Sequence, residues 1–451
     1  MERKHFIRLL LTLGVPIALQ HLVINSLNFV DTIMIGRLGE MEIAAVGLAN
    51  QIYFVVNLFI FGICSGSAVF TAQYWGCRDL ERLNRTAALG LILAAVPVSL
   101  VAALAYFRPE MLLRLFTRDA ALISLSARYL RVVSFSFLFT AWAQFFENTV
   151  KSTERVRYPL YVALVAFGAN TVLNWILIFG LLGFPALGVA GAALATVISR
   201  GLEFFLITGA VYLRKLPGAV RLRHLRNREP GFLSRYLHVV APVVANELVW
   251  VLGVSVYMAV YGRMGPEAVT VASLTSTIER ILMAFLFGTG GAASIMLGNG
   301  LGAGRVRETM VNAGRLLKIT VAGSLVLGLL VVLLAPWLTA PFRLSPGTRA
   351  MAVTTIRIMG AAMAFKGFNI TMLVGVLRSG ADTGYTLMLD LVNVWFVAIP
   401  LGALAGLVLR WPVPLVYLMF LSEEVVKAFM GWHRYRSGKW QNVLTMERSP
   451  L

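Results

Sequence analysis

The sequence predicts an all-α polytopic membrane protein, with twelve transmembrane helices in two pseudo-symmetric six-helix bundles. Of its 451 residues 58% are hydrophobic and only 14% are charged, and the mean hydropathy is +0.78. Apolar runs of about 20 residues, the length that crosses a bilayer, recur along the whole chain. A soluble protein of this size would need far more polar surface. The third observation is an internal repeat, which fixes how the helices are grouped.

The apolar runs predict twelve helices, several of them longer than about 25 residues, which implies tilt or protrusion beyond the hydrocarbon. The first run follows a basic N-terminus but has no small-residue cleavage site, so we interpret it as a retained helix rather than a signal peptide. Pro16 inside it removes one helical hydrogen bond and predicts a bend, a candidate hinge. The predicted helices are 6–36, 42–73, 84–107, 120–150, 158–180, 187–213, 236–262, 267–300, 309–338, 350–377, 384–409 and 413–433.

The net charge of +19 is distributed over the loops between these helices. Lys and Arg accumulate on the side that holds the N-terminus and the basic loop 214–235, and they are sparse on the other side. This asymmetry is typical of cytoplasmic loops that face anionic lipid and does not indicate a nucleic-acid partner. We therefore expect a multi-pass protein of the cytoplasmic (inner) membrane, a monomer, with both termini in the cytoplasm.

The two halves of the chain repeat each other, at a spacing of 226 residues across the first two helices of each half and of 227 residues later. Pro16 and Pro242 lie 226 residues apart, and so do the segments 36–39 (Gly-Arg-Leu-Gly) and 262–265 (Gly-Arg-Met-Gly). Six helices per half is an even number, so both halves should have the same orientation in the membrane. We predict an N-lobe at 1–213, a cytoplasmic linker at 214–235 and a C-lobe at 236–451. Two such bundles around a cleft are typical of an alternating-access carrier.

Asp31 is an ionisable group in the first apolar run, about 35 Å along that helix at 1.5 Å per residue. Position alone leaves open an interfacial carboxylate at a helix end. Asn170 and Asn174 lie four residues apart and share one face of the fifth helix. A carboxylate with two side-chain amides suits a hard cation or a proton. The alternative for the two amides is a hydrogen bond that only packs helices.

Glu247 lies about 17 Å into the seventh helix, near the middle of the membrane, where burial disfavours the charged form. Its counterpart at the spacing of 226 is His21. We expect a functional carboxylate, which could also offer a counter-charge to a cationic ligand. A salt bridge to Lys366 is the structural alternative. Four further acids are expected to form ion pairs within a bundle or to lie at helix ends: Glu203, Glu279, Glu423 and Glu424. For Asp390 a structural role and a functional role both remain open.

Five segments in order along the chain carry a family resemblance: 30–39 (VDTIMIGRLG), 170–176 (NTVLNWI), 188–193 (GVAGAA), 298–304 (GNGLGAG) and 375–383 (GVLRSGADT). Together they resemble the multidrug and toxic compound extrusion (MATE) family of the MOP superfamily, in its NorM-like bacterial type. The resemblance covers essentially the whole chain. It implies a MATE-type fold and the export of cationic or amphipathic organic compounds, driven by Na⁺ or H⁺ without another cofactor.

The resemblance also implies site residues. It places a cation or proton site at Asp31, Asn170 and Asn174, adds the hydroxyl of Thr196, and gives Glu247 a coupling role. The sequence departs from the NorM-like pattern in the tenth helix, where Lys366 and Asn369 stand in the stretch that carries an acid in that branch. A possible substrate site or second-lobe site comprises Lys366, Asn369, Asp390 and His21, the repeat counterpart of Glu247.

The sequence is compatible with two classes of function. The first is the multidrug exporter, whose partners are small toxic compounds and membrane lipids. The second is a flippase for lipid-linked oligosaccharides from the same superfamily, which would need a cationic cavity for the diphosphate; Lys366 is compatible with it, but the acids argue against it. The chain has no Walker A motif and no hydrolase or metalloprotease motif, so neither ATP-driven transport nor an enzyme is expected.

Overall fold

The structure is a computed structural model that describes residues 3–221, 223–224 and 230–445, and all regular elements in these residues are helices. Three π-helical segments, Thr371–Leu377, Leu391–Ala398 and Leu404–Val408, interrupt the C-terminal part. The α-helices are α1 (Arg3–Gly36), α2 (Glu40–Gly76), α3 (Leu80–Phe107), α4 (Pro109–Leu113), α5 (Ala120–Val133), α6 (Ser136–Ser152), α7 (Arg157–Phe179), α8 (Val189–Leu213), α9 (Phe232–Met264), α10 (Pro266–Gly302), α11 (Val306–Thr339), α12 (Pro346–Ile370), α13 (Thr383–Asp390), α14 (Ile399–Ala403), α15 (Val413–Phe420) and α16 (Ser422–Arg436).

Among the described residues, ten helical stretches are long and apolar enough to cross a membrane, and the bent pair α5–α6 makes an eleventh. The predicted helix 120–150 is therefore wrong in one respect, because it bends by 48° between α5 and α6. The hydroxyls of Ser134 and Ser136 donate to the carbonyls of Arg131 and Val133 at the break, and such bonds compete with the helical pattern. The predicted last helix, 413–433, is also divided, into α15 and α16.

The predicted repeat is present in the backbone. Helices α2 and α10 both have 37 residues, and their bounds differ by 226 at each end. The glycines before them, Gly39 and Gly265, have φ angles of 151° and 120°, a region that favours glycine. Arg78 and Gly304, again 226 apart, both have positive φ at the following turn. The two halves therefore share local conformation, not only composition.

The chain forms two compact units, one of residues 19–240 and one of residues 1–18 with 241–451. These units differ from the predicted lobes 1–213 and 236–451. The first part of α1 belongs with the C-terminal helices, and the first part of α9 belongs with the N-terminal ones. Pro16 and Pro242 lie within two residues of the two boundaries.

In the unit of residues 19–240, the start of α9 packs on α2. The hydroxyls of Tyr236 and Ser67 form a hydrogen bond, and the rings of Tyr236 and Phe70 stack with centroids 5.5 Å apart. A Cβ on Gly66 would lie 2.9 Å from the Cα of Val240, so only glycine permits this approach. Packing against α2, rather than continuity with the rest of α9, places these residues in the first unit.

The other unit contains the equivalent contact between α1 and α10. A Cβ on Gly288 would lie 2.7 Å from the carbonyl oxygen of Gly14 and 2.7 Å from the Cβ of Ala18. Gly14 precedes Val240 by the repeat spacing of 226. The helix that opens each half thus crosses to the second helix of the other half. This exchange could not be predicted from the sequence, because a continuous apolar run does not reveal its packing partner.

Large apolar side chains are exposed along one stretch of α11. A soluble protein rarely exposes so large a contiguous apolar surface, whereas lipid solvates it. The exposed residues are Leu325, Val326, Leu329, Leu330, Leu333, Leu334 and Trp337. This surface agrees with the assignment of α11 as a membrane-crossing helix.

Candidate functional site

A chain of hydrogen bonds in the unit of residues 19–240 starts at Asp31. The Asn174 amide donates to the Asp31 carboxylate at 2.6 Å and to the Asn170 carbonyl oxygen at 2.9 Å. The Asn170 amide in turn donates to the hydroxyl of Ser199 at 3.0 Å. The two asparagines are each 1% exposed. The structure thus brings together Asp31, Asn170 and Asn174, as the sequence predicted.

Helices α1, α7 and α8 position this chain. Asn170 and Asn174 lie one turn apart on α7, so both amides face the same neighbours. The α8 hydroxyl that contacts them is that of Ser199, which the sequence analysis did not single out. The predicted Thr196 lies three residues earlier on α8, and its hydroxyl donates to the carbonyl of Ala192 at 3.0 Å. The position of Ser199, three residues after Thr196 and so close to the same face of α8, was the sequence feature that could have predicted this contact.

The Asp31 site is incompletely satisfied. The Oδ1 atom of Asn174 is buried and has no hydrogen-bond partner among the described residues. Arg200 is close enough to interact electrostatically with Asp31, but its guanidinium donates to Glu203 at 2.6 Å. Within the described part of the chain, no cationic nitrogen lies within 4 Å of the Asp31 carboxylate. A buried amide oxygen beside an unpaired carboxylate can serve a proton or a small cation.

Every other acid in the middle of an apolar helix has a cationic partner within 4 Å, as far as the structure describes the chain. Arginines hold two of them and lysines hold the rest. The pairs are Glu147–Lys151, Glu203–Arg200, Glu247–Arg378, Glu279–Lys366, Glu424–Lys366, Asp390–Lys427 and Glu423–Lys427. Asp31 therefore stands apart in its charge environment.

Glu247 belongs to a polar network in the unit that contains the C-terminal helices. The Arg378 guanidinium donates to Glu247 at 2.7 Å and to the amide oxygen of Asn246 at 3.0 Å. The Asn246 amide donates to Asp390, which also pairs with Lys427 at 2.7 Å. The network connects α9, the residue that follows the first π-helical segment, α13 and α16. Three of its members, Asn246, Arg378 and Lys427, were not predicted as site residues.

The alternative considered for Glu247, a salt bridge to Lys366, is wrong. Glu247 pairs with Arg378, a residue that the sequence assigned to a cytoplasmic loop but that is only 4% exposed. Arg378 directly follows a π-helical segment, whose wider turn shifts the residues after it relative to an α-helical count. Counting residues along ideal α-helices therefore did not place the side chains of Glu247 and Arg378 at the same depth in the membrane.

Lys366 lies in a second network of the same unit. Its ammonium contacts Glu279 and lies 3.7 Å from Glu424. Asn369, one turn later on α12, donates to the Glu424 carboxylate at 2.7 Å. The predicted second site is thus divided: Lys366 and Asn369 share one network, and Asp390 belongs to the other. His21 belongs to the unit of residues 19–240, where Lys151 is an electrostatic neighbour.

Two segments of the chain, residues 16–176 and 242–404, match the family model described as MatE. The chain belongs to the MatE family. The two matches begin 226 residues apart, so the family model matches each half of the repeat once. This protein is accordingly a MATE transporter, a multi-pass membrane protein. The family and the transporter class that the sequence resemblance implied are confirmed, whereas the coupling ion and the transported compounds stay predictions.

Named relatives cover nearly the whole chain. A protein of Mesorhizobium japonicum named "Probable multidrug resistance protein NorM" is 27% identical over 411 residues, which are 88% of this chain and 86% of the relative. The "Uncharacterized transporter YisQ" of Bacillus subtilis is 23% identical over 96% of this chain and 94% of its own length. A crystal structure of a mutant of the Vibrio cholerae MATE transporter VcmN superposes with a TM-score of 0.89 at 18% identity, covering 96% of this chain and 97% of that one. This superposition shows the shared fold.

Proposed function

We propose that this MATE transporter is a secondary active multidrug exporter, which exchanges cationic or amphipathic organic compounds for H⁺ or Na⁺ by alternating access. The observation that carries the proposal is the Asp31 carboxylate, which lacks a cationic partner among the described residues, whereas the other acids of the helices have one. The printed name of the NorM relative, a multidrug resistance protein, supports the class of substrate.

The electrostatics explain why Asp31 suits a coupling ion. An ionised carboxylate in a membrane is costly unless a cation or a proton neutralises it. The amide of Asn174 stabilises the charge, and its buried Oδ1 offers a neutral oxygen ligand. A proton or a Na⁺ entering from outside would complete this site, and its release inside would return Asp31 to the charged form. The other acids in the middle of the described helices already lie within 4 Å of a lysine or arginine.

We also propose that Pro16 is the hinge at which α1 bends during transport. Helix α1 carries both Pro16 and Asp31 and is continuous from Arg3 to Gly36. Its two parts belong to different compact units, and the change of unit follows Pro16. Neutralisation of Asp31 would favour a different bend at Pro16, which links ion binding to access. We also propose that the protein resides in the inner membrane with both termini in the cytoplasm, because the basic loops lie on that side.

The direct test is ethidium efflux from proteoliposomes under a separately imposed Na⁺ or pH gradient. We expect one of the two gradients to drive efflux, and its dissipation by a matching ionophore to stop it. The same vesicles are assayed for movement of a lipid-linked diphosphate, which we expect to stay on its original side. Movement of the lipid without gradient-driven dye efflux would overturn the proposal in favour of a flippase.

A further inference from the structure

We propose that the Lys366 ammonium is a tethered cation that occupies a site built for a monovalent inorganic ion such as Na⁺. The site lies in the unit of residues 1–18 and 241–451, where α10, α12, α15 and α16 each contribute a polar side chain. Lys366 is 7% exposed, and its ammonium contacts the Glu279 carboxylate and lies 3.7 Å from that of Glu424. The site itself is independent of the proposed transport function.

The oxygens around the ammonium resemble the ligands that hard cations take. Two carboxylates supply charge, and the Tyr417 hydroxyl donates to the far oxygen of Glu279 at 3.4 Å. The Asn369 amide nitrogen donates to Glu424 at 2.7 Å. Its Oδ1 atom is buried without a hydrogen-bond partner among the described residues, so a neutral oxygen remains free beside the carboxylates. Carboxylate and amide oxygens are preferred by hard cations.

The charges at this site indicate how removal of the Lys366 ammonium would affect the two carboxylates. With the ammonium present, one positive charge faces the two carboxylates of Glu279 and Glu424. Without it, both carboxylates would remain in an apolar bundle with no cation, which is strongly unfavourable. The neighbouring Lys427 is already engaged by Asp390 and Glu423. An inorganic cation of the same charge would restore the original balance.

A consequence for the native protein follows, and it rests on the proposed function. Each acid in the middle of a helix of this unit that the structure describes lies within 4 Å of a lysine or arginine, so none of them lacks a cationic partner as Asp31 does. The exchange of ions would then take place at Asp31 alone, with one ion site per chain. Lys366 would keep the second site permanently filled.

The test measures thermal unfolding of purified protein in detergent, in NaCl against choline chloride at equal ionic strength. All variants carry Asp31→Asn, so that Na⁺ binding at Asp31 contributes nothing and failure of this inference is separate from failure of the exporter proposal. With Lys366 intact, we expect an unfolding temperature that does not depend on Na⁺. With Lys366→Met, we expect a lower temperature in choline that rises and saturates with Na⁺, because a ligand that binds the folded state stabilises it.

Two further variants make the test specific. Lys366→Arg keeps the charge and should remain independent of Na⁺. Lys366→Met with Glu279→Gln removes one ligand charge and should fold without a dependence on Na⁺. The inference is overturned if Lys366→Met unfolds at the same temperature in NaCl and in choline chloride. It is equally overturned if Lys366→Met cannot be obtained folded in any concentration of NaCl while the double variant can.

Discussion

At the scale of single residues, the partner of each carboxylate indicates whether that carboxylate is available for a coupling ion. Glu247 and Asp31 are both carboxylates in apolar helices, and counting residues along the helices placed Glu247 deeper in the membrane. The structure separates them by their partners. Arg378 donates to Glu247 at 2.7 Å, whereas among the described residues Asp31 accepts a side-chain hydrogen bond only from the Asn174 amide. Helix periodicity correctly grouped Asn170 with Asn174. It could not predict Arg378, because that pairing depends on tertiary packing after a π-helical segment.

The first prediction concerns the Arg378–Glu247 pair. Arg378→Met should lower stability by about 3–5 kcal/mol, because it leaves a largely buried carboxylate without its cation. Thermal unfolding in detergent measures the effect as a lower midpoint. The double variant Arg378→Met with Glu247→Gln should recover part of the loss. Equal midpoints for the single and double variants would show that the two charges are not coupled.

At the scale of the helices, the sequence does not show which glycines lie at close contacts between helices. Gly47 and Gly66 both lie in α2, and nothing in the sequence distinguishes their roles. A Cβ on Gly47 would meet no atom within 4 Å, whereas one on Gly66 would lie 2.9 Å from the Cα of Val240. The length and composition of α2 were predictable from its apolar run. Its contact with the start of α9 was not.

This difference gives the second prediction. Gly66→Ala should lower the thermal midpoint, because the new methyl group meets backbone that cannot move without shifting α9. Gly47→Ala, the matched control, should be neutral or stabilising by up to about 1 kcal/mol, since alanine is the better helix former. Both are measured by unfolding in detergent. A Gly66→Ala protein as stable as the Gly47→Ala one would contradict the close approach of α2 and α9.

At the scale of the whole molecule, the repeat was readable from the sequence and the composition of the units was not. Prolines, glycines and loops at a spacing of 226 identified the two halves, and the family model matches each half once. The exchange of helix segments followed from contacts far apart in the chain. Residues 1–18 belong with 241–451, and residues up to 240 belong with the N-terminal helices. Hydrophobic patterning identifies membrane-crossing segments but does not specify their neighbours.

The third prediction tests this exchange. The chain is expressed as two fragments, residues 1–224 and 225–451, alone and together. Each fragment alone lacks a helix segment that its unit contains, so we expect aggregation or degradation of each, and recovery of a monodisperse complex on co-expression. Size-exclusion chromatography in detergent measures the outcome. A single fragment that purifies as a stable, monodisperse species would show that the exchanged segment is dispensable.

The most direct test of the account compares ion coupling at Asp31 with that at Glu247. Gradient-driven ethidium efflux is measured in proteoliposomes for the native protein, for Asp31→Asn and for the charge-balanced variant Glu247→Gln with Arg378→Met. We predict that Asp31→Asn loses the response to the gradient while remaining folded, and that the charge-balanced variant keeps it. Gradient-driven efflux that persists in Asp31→Asn but is lost from the folded Glu247 variant would contradict the role of Asp31 as the coupling site.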